Sequence, residues 1–219
     1  MDKIIAISGK QFAGKDTLCF ILLKYLPGFR RVALADALKD EYAQLSAIPR
    51  DQVDRLKAQE PKVRGELIAL GKKHREEDED YWVKKVLEQS GNKIVTDLRF
   101  LNEMNRFKEH KAILIRVEAQ RSVRAKRGKL CHETDLSEIG LDHITDWCFV
   151  VQNNSSLESL EQEAKQIARV IQIGFGQSCD TSKQKLALLD GLILEVLMNL
   201  ERFFGNQAEA FAKKLRSQV

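Results

Sequence analysis

The chain has 219 residues, enough for one substantial core or for one domain with an appendage. Hydrophobic residues make up 43% and charged residues 31%, and a formal charge of +4 is too mild to argue for nucleic acid. The four cysteines, Cys19, Cys131, Cys148 and Cys179, form no C-x-x-C pair or His/Cys cluster, which argues against a disulfide framework or a zinc site. No signal-peptide core opens the chain, and no apolar run nears the roughly 18 residues of a membrane span, so the expectation is a cytosolic protein without a membrane partner.

In chain order, short apolar runs alternate with helical patterns. Strands are expected over 3–8, 31–35, 93–96, 112–117 and 148–151. Helices are expected over about 15–26, 37–46, 61–74, 80–89, 101–109, 119–127 and 157–172. Pro61 suits the first helical position, and Ser156 with Glu158 and Glu161 suits a helix start. This alternation predicts an α/β fold with a five-stranded parallel sheet covered by helices on both faces. Such sheets bind ligands beyond the carboxyl ends of their strands, which singles out 9–15, Asp36, 97–99, 118–127 and Asn153. Around Gly174 the character changes. The stretch 173–183 is turn-rich, and beyond it Leu186, Leu189, Ile193, Val196, Leu197, Leu200, Phe203 and Phe204 form a wide apolar helical face. The division expected is therefore a domain at 1–174, with a lid near 119–135, and a helical extension at 175–219. The extension either folds back on the domain or pairs with a second copy, and the breadth of its apolar face favours a homodimer.

Three stretches carry chemistry. After the first strand, "GKQFAGKD" has the G-x-x-x-x-G-K spacing of a phosphate loop, with Gly9, Gly14 and Lys15 at the defining positions. Backbone N–H groups of Gly9, Lys10, Gln11, Phe12, Ala13 and Gly14, with the helix N-terminus, would cradle a polyphosphate, and Lys15 would reach its terminal phosphates. Asp16 stands where Ser or Thr is usual, with Thr17 one place late. Asp16 either helps hold Mg²⁺, a hard ion that favours oxygen ligands, or merely favours the helix N-terminus electrostatically.

In "VTDLRF", 95–100, Asp97 and Arg99 fall where the strand meets its loop. Asp97 could hold a metal's water or take a proton, and Arg99 could grip a second phosphate; the bland alternative is that both cap neighbouring groups. The third stretch is "QRSVRAKRG", where Arg121, Arg124 and Arg127 recur at three-residue spacing. Like charges on one helical face oppose each other, which is tolerable where they close over an anion. Phosphoryl transfer needs such cations, because its catalysis is mostly positioning and charge neutralisation.

Taken in order, "GKQFAGKD", "ADALKDEYAQ", Arg64 and Arg75 with ten residues between them, "TDLRFLNE", the arginine-rich 121–127 segment and "HETDLSEIGLD…VVQNN" resemble the P-loop kinases of the nucleoside monophosphate kinase superfamily. The resemblance covers about residues 3–172. It is greatest to deoxynucleoside monophosphate kinases and to animal-type phosphomevalonate kinases, which likewise use Gly-Lys-Asp in the phosphate loop. It implies a kinase that uses ATP and Mg²⁺, with residues 9–17 and Asn153 at the nucleotide and Asp16 and Asp97 at the metal. It further implies that Arg64, Arg75 and Arg99 bind the phosphate of a small acceptor bordered by Asp36. Lys15, Asp97, Arg124 and Arg127 would then be catalytic, the two arginines riding on a lid. Phe100 suits the deoxynucleotide kinases, where an aromatic can stack on a base, rather than the paired arginines of phosphomevalonate kinases, so a nucleoside monophosphate is the expected acceptor; phosphomevalonate is the alternative, which "LKDEYAQ" and the ungapped run from Arg64 to Trp82 fit about as well. Of the other classes, a GTPase lacks its Asn-Lys-x-Asp signature here. A non-catalytic nucleotide-binding module would have no use for the lid arginines.

Overall fold

A computed structural model describes residues 2–173. The expectations for 175–219, including the homodimer, lie outside the described residues.

Strand β1 (Ile4–Ser8) is buried at every position and forms the centre of a five-stranded sheet. Around it lie β2 (Arg30–Val32), β3 (Lys93–Leu98), β4 (Ile113–Glu118) and β5 (Phe149–Gln152), in the order β2-β3-β1-β4-β5. Every pairing is parallel. The period-two alternation of β1 sorts its side chains between two cores. Ile5 and Ile7 pack with Leu18 and Leu22 of α1 (Lys15–Tyr25) and with Leu160, Ala164 and Ile167 of α9 (Leu157–Ile173). Ile4 and Ala6 face Trp82, Val83 and Val86 of α5 (Tyr81–Leu87) and Met104 and Phe107 of α6 (Leu101–Glu109). Each buried aliphatic or aromatic side chain contributes about 1.5–3 kcal/mol. The parallel sheet with helices on both faces is the fold class expected.

A third, smaller core joins α2 (Leu34–Ser46), α3 (Arg50–Gln59) and α4 (Pro61–Glu77) through Tyr42, Val53, Val63 and Leu67. Pro61 opens α4 as expected. Ser156 Oγ accepts the N–H of Ser159 at 3.2 Å at the start of α9, again as expected.

Three boundaries differ from the expectation for identifiable reasons. The apolar run 31–35 is strand only to Val32, because α2 begins at Leu34; both Asp97 carboxylate oxygens accept N–H groups there, from Leu34 at 2.8 Å and Ala35 at 2.9 Å. A cap supplied from a distant strand overrides local strand propensity. Asp36 consequently sits in the first turn of α2 rather than beyond a strand. The third strand runs through Leu98, so Asp97 lies within it and only Arg99 follows it. Helix α7 (Arg121–Arg127) and the four-residue α8 (Leu136–Ile139) complete the order. Neither α3, which buries only Val53, nor α8 offers enough apolar positions for a helical period to show in sequence.

Candidate active site

Strand β1 hands the chain to the stretch 9–14 and then to α1, so the phosphate loop stands at the carboxyl end of the central strand. The connection leaving β1 crosses to one side of it and that leaving β3 to the other, the arrangement that opens a ligand crevice in parallel sheets. The glycines are forced by the packing. Gly9 has φ +153°, and a Cβ there would lie 2.4 Å from the carbonyl oxygen of Val117. Gly14, at φ +106°, would meet Asn153. Lys15 opens α1, and its ammonium donates to the carbonyls of Gly9 at 2.7 Å and Lys10 at 3.0 Å. Burial, reinforced by the charge of Arg99, lowers its pKa to about 8, against the opposing pull of Glu138, Asp16 and Asp97. These five groups therefore share one electrostatic neighbourhood.

The expected site residues do not all behave alike. Asp16 is exposed and pairs with Arg31 at 3.2 Å, and Thr17 is exposed beside it. Asp97 uses both oxygens to hold the start of α2, the capping geometry that the sequence left open; burial raises its pKa. Asp36 lies in an ion-pair cluster with Arg31 at 3.0 Å, Arg50 at 3.2 Å and Lys39 at 3.5 Å. Arg75 places its guanidinium 5.6 Å from the centre of the Phe100 ring, a cation–π contact. Arg64 is exposed in the first turn of α4, without a side-chain hydrogen bond or ion pair among the described residues. Lys57, on the unforeseen α3, has its pKa lowered by burial and by the charges of Lys39, Arg64 and Arg99, which marks a concentration of cations on that side of the crevice.

The three arginines of α7, expected on one helical face, have different surroundings. Arg121 is exposed and pairs with Glu133 at 2.8 Å. Arg124 is buried, donating to the carbonyls of Ala119 and Gln11 and pairing with Glu133 at 3.4 Å. Arg127 donates to the carbonyls of Phe12 and Ala13 and to Asn153. Phe12, at φ +58°, lays its ring against Gly128, where a Cβ would lie 2.3 Å from the ring edge. Asn153 is buried and donates Nδ2 to the Ala13 carbonyl at 2.8 Å. Helix α7, the end of β5 and the Gly-rich loop thus form one hydrogen-bonded body. Beside it, a cavity of about 520 Å³ opens at the ends of β4 and β5, lined in part by Lys10, Arg116, Gln120, Arg124 and Asn154.

Sequence reasoning missed Glu138. Its buried carboxylate accepts the Gln11 N–H at 2.7 Å and Arg99 Nη1 at 3.1 Å. The Gln11 side chain exchanges hydrogen bonds with the backbone of Cys131, and Lys10 pairs with Asp142 at 2.6 Å, so the stretch 131–142 is fastened along the loop. A lone acid in an irregular segment carries no periodic signal. Among the described residues no group of three or more His, Cys, Asp or Glu side chains is arranged to hold a metal. A divalent ion here would lean on the phosphates that it accompanies, as Mg²⁺ does at nucleotide sites, and the exposed Asp16 carboxylate fits that mode.

A family model for phosphomevalonate kinase matches residues 7–113, a little under half of the chain. The match runs from the end of β1 to the start of β4 and stops short of α7 and β5. Together with the Gly-Lys loop at the end of β1 in an all-parallel sheet, it supports a phosphotransfer kinase of P-loop-like build. Among solved structures, an unliganded sugar kinase from Janibacter sp. HTCC2649 aligns at 12% identity with a TM-score of 0.40, over 75% of this chain and 92% of that one.

Proposed function

We propose that this protein transfers the γ-phosphoryl group of ATP to the phosphate of a small phosphorylated acceptor. The observation that carries the reading is the gathering of Arg99 and Asp97 around Lys15, at the carboxyl ends of neighbouring strands. Loop N–H groups and Lys15 bind the ATP phosphates, Arg124 and Arg127 hold the lid against the loop, and Arg64, Arg75 and Arg99 take the acceptor. Asp16 would hold Mg²⁺, which would neutralise charge on the phosphates. An oxygen of the acceptor phosphate, largely ionised at neutral pH, attacks the γ-phosphorus as the bond to the β-phosphate oxygen breaks and ADP leaves. No proton has to be removed, so Asp97 need not act as a base; its carboxylate positions α2 beside the acceptor.

For the acceptor, the cations support one reading. Lys57 feels the positive charges of Lys39, Arg64 and Arg99, partly offset by Asp54, and such an excess of cations suits a ligand with a second anionic group besides its phosphate. The match to phosphomevalonate kinase points the same way, so a phosphorylated hydroxycarboxylic acid of the phosphomevalonate type is the favoured acceptor. Phe100 supports the second reading, a nucleoside monophosphate stacked on its ring. A coupled ADP assay with phosphomevalonate and the common ribo- and deoxynucleoside monophosphates separates them. ADP formation that requires phosphomevalonate upholds the first reading, formation with a nucleotide alone the second, and none with any acceptor refutes transfer.

A further inference from the structure

Glu138 belongs to the segment after the lid helix, yet its carboxylate reaches the middle of the site. One oxygen accepts a phosphate-loop N–H, that of Gln11, at 2.7 Å; the other accepts Arg99 Nη1 at 3.1 Å. Its side chain is only 3% exposed. A backbone N–H of an anion-binding loop and an arginine are the donors that a phosphate would use, and a carboxylate offers two oxygens in place of three. The same Arg99 group also donates to the Ser137 carbonyl at 3.4 Å. The segment is built to present this acid. Asp135 caps α8 through the Ser137 N–H at 2.8 Å, and Gly140 allows the chain to turn close against the Arg99 carbonyl.

We propose that Glu138 is a built-in placeholder for phosphate, filling the anion position between Gln11 and Arg99 until substrate phosphate displaces it. This rests on the kinase reading and adds to it. Leaving a charge buried and unpaired is costly, and Glu138 is the buried member of the pair, so while no phosphate is bound it stays on Arg99 and the Gln11 N–H. A phosphate engaging Arg99 brings two anions together, and Glu138 must withdraw. Because Glu138 rides on α8, its withdrawal removes one of the contacts that fasten 131–142 to the loop, beside those of Gln11 with Cys131 and Lys10 with Asp142.

The test is a calorimetric titration of the full chain with inorganic phosphate at fixed ionic strength. Glu138→Gln keeps an oxygen for the Gln11 N–H but sets its amide N–H₂ against Arg99, releasing that guanidinium. Loss of one charge-assisted competitor should tighten phosphate roughly tenfold. In an Arg99→Ala background, Glu138→Gln should change nothing. Glu138→Asp, shorter by one methylene, provides a second variant should the first fold poorly, and it should also tighten phosphate. Unchanged or weaker affinity in a folded variant, the same gain without Arg99, or no phosphate binding by any form would overturn the proposal. The titration involves no turnover, so its failure leaves the kinase reading intact. Absence of ADP formation with every acceptor would sink that reading and leave the titration interpretable.

Discussion

A Cβ added to Gly14 would lie 2.2 Å from Nδ2 of Asn153, so the phosphate loop and the residue after β5 occupy one closely shared space. The family resemblance implies Asn153 at the nucleotide. In the structure its side-chain amide is bound to the Ala13 carbonyl at 2.8 Å, and Arg127 binds its backbone carbonyl at 3.0 Å. Gly14→Ala therefore meets two obstacles, a backbone at φ +106° and a clash with a group that is itself held in place. The variant should melt several degrees lower and lose most of its ATP affinity. A variant matching the parent in both thermal scans and ATP titration would show that this contact is slack.

How far could the sequence be read? The Gly-rich turn from β1 into α1 was legible because it is written in consecutive residues, Gly9 to Lys15. The sheet was legible because buried parallel strands are short apolar runs, as in Ile4 to Ile7. Long-range partners were not. Nothing near Asp97 in sequence says that its oxygens cap Leu34 and Ala35, and nothing near Gln11 says that Glu138 will accept its N–H. The spacing of Arg121, Arg124 and Arg127 gave their helix but not their fates, since Glu133 and the loop carbonyls separate them.

Lys15 supplies a pH-dependent prediction. Burial and Arg99 lower its pKa from 10.5 to about 8, so near pH 8 it is only about half protonated. A bound polyphosphate adds negative charge and raises that pKa. Binding of MgATP at pH 8 should therefore take up a sizeable fraction of a proton, while at pH 6.5, where Lys15 is already charged, its contribution vanishes. Calorimetry in two buffers of different ionisation enthalpy measures this uptake. Lys15→Ala should abolish it and slow turnover by ~10²-fold or more. No uptake by the parent at pH 8 would mean that Lys15 does not meet the phosphates.

Glu103 makes a separate prediction about stability. Its buried carboxylate accepts the N–H groups of Arg99 and Phe100 through a single oxygen, and burial raises its pKa from 4.5 to about 7. The folded state then binds more protons than the unfolded state between those two values. Stability from this group is greatest below pH 4.5, falls as pH rises to about 7 and is flat beyond. Glu103→Gln keeps one oxygen for both N–H groups and removes the charge. It should flatten the pH dependence of the urea midpoint between pH 5 and 7.5, by on the order of 2–3 kcal/mol in unfolding free energy. Parallel curves for parent and variant would refute the raised pKa.

The arginines should divide by role, and the structure ranks them as probes. Arg64 is exposed, with no side-chain partner among the described residues, so Arg64→Ala should leave stability within about 0.5 kcal/mol of the parent. If it binds the acceptor, its loss should chiefly raise the KM for that acceptor, and Arg99→Ala should do the same. Arg127 instead fastens α7 to the loop through the Phe12 and Ala13 carbonyls and to Asn153. Arg127→Ala should lower kcat, because the closed site is completed by that contact. Arg124→Ala should lower kcat as well. Because Arg124 is buried, its removal also strips the Ala119 and Gln11 carbonyls of a donor and should cost about 1–3 kcal/mol of stability. Arg127 is accordingly the cleaner lid probe, and the decisive comparison is Arg64→Ala with Arg127→Ala in steady-state kinetics. Should both variants raise only the KM for ATP, neither the acceptor role nor the lid role stands.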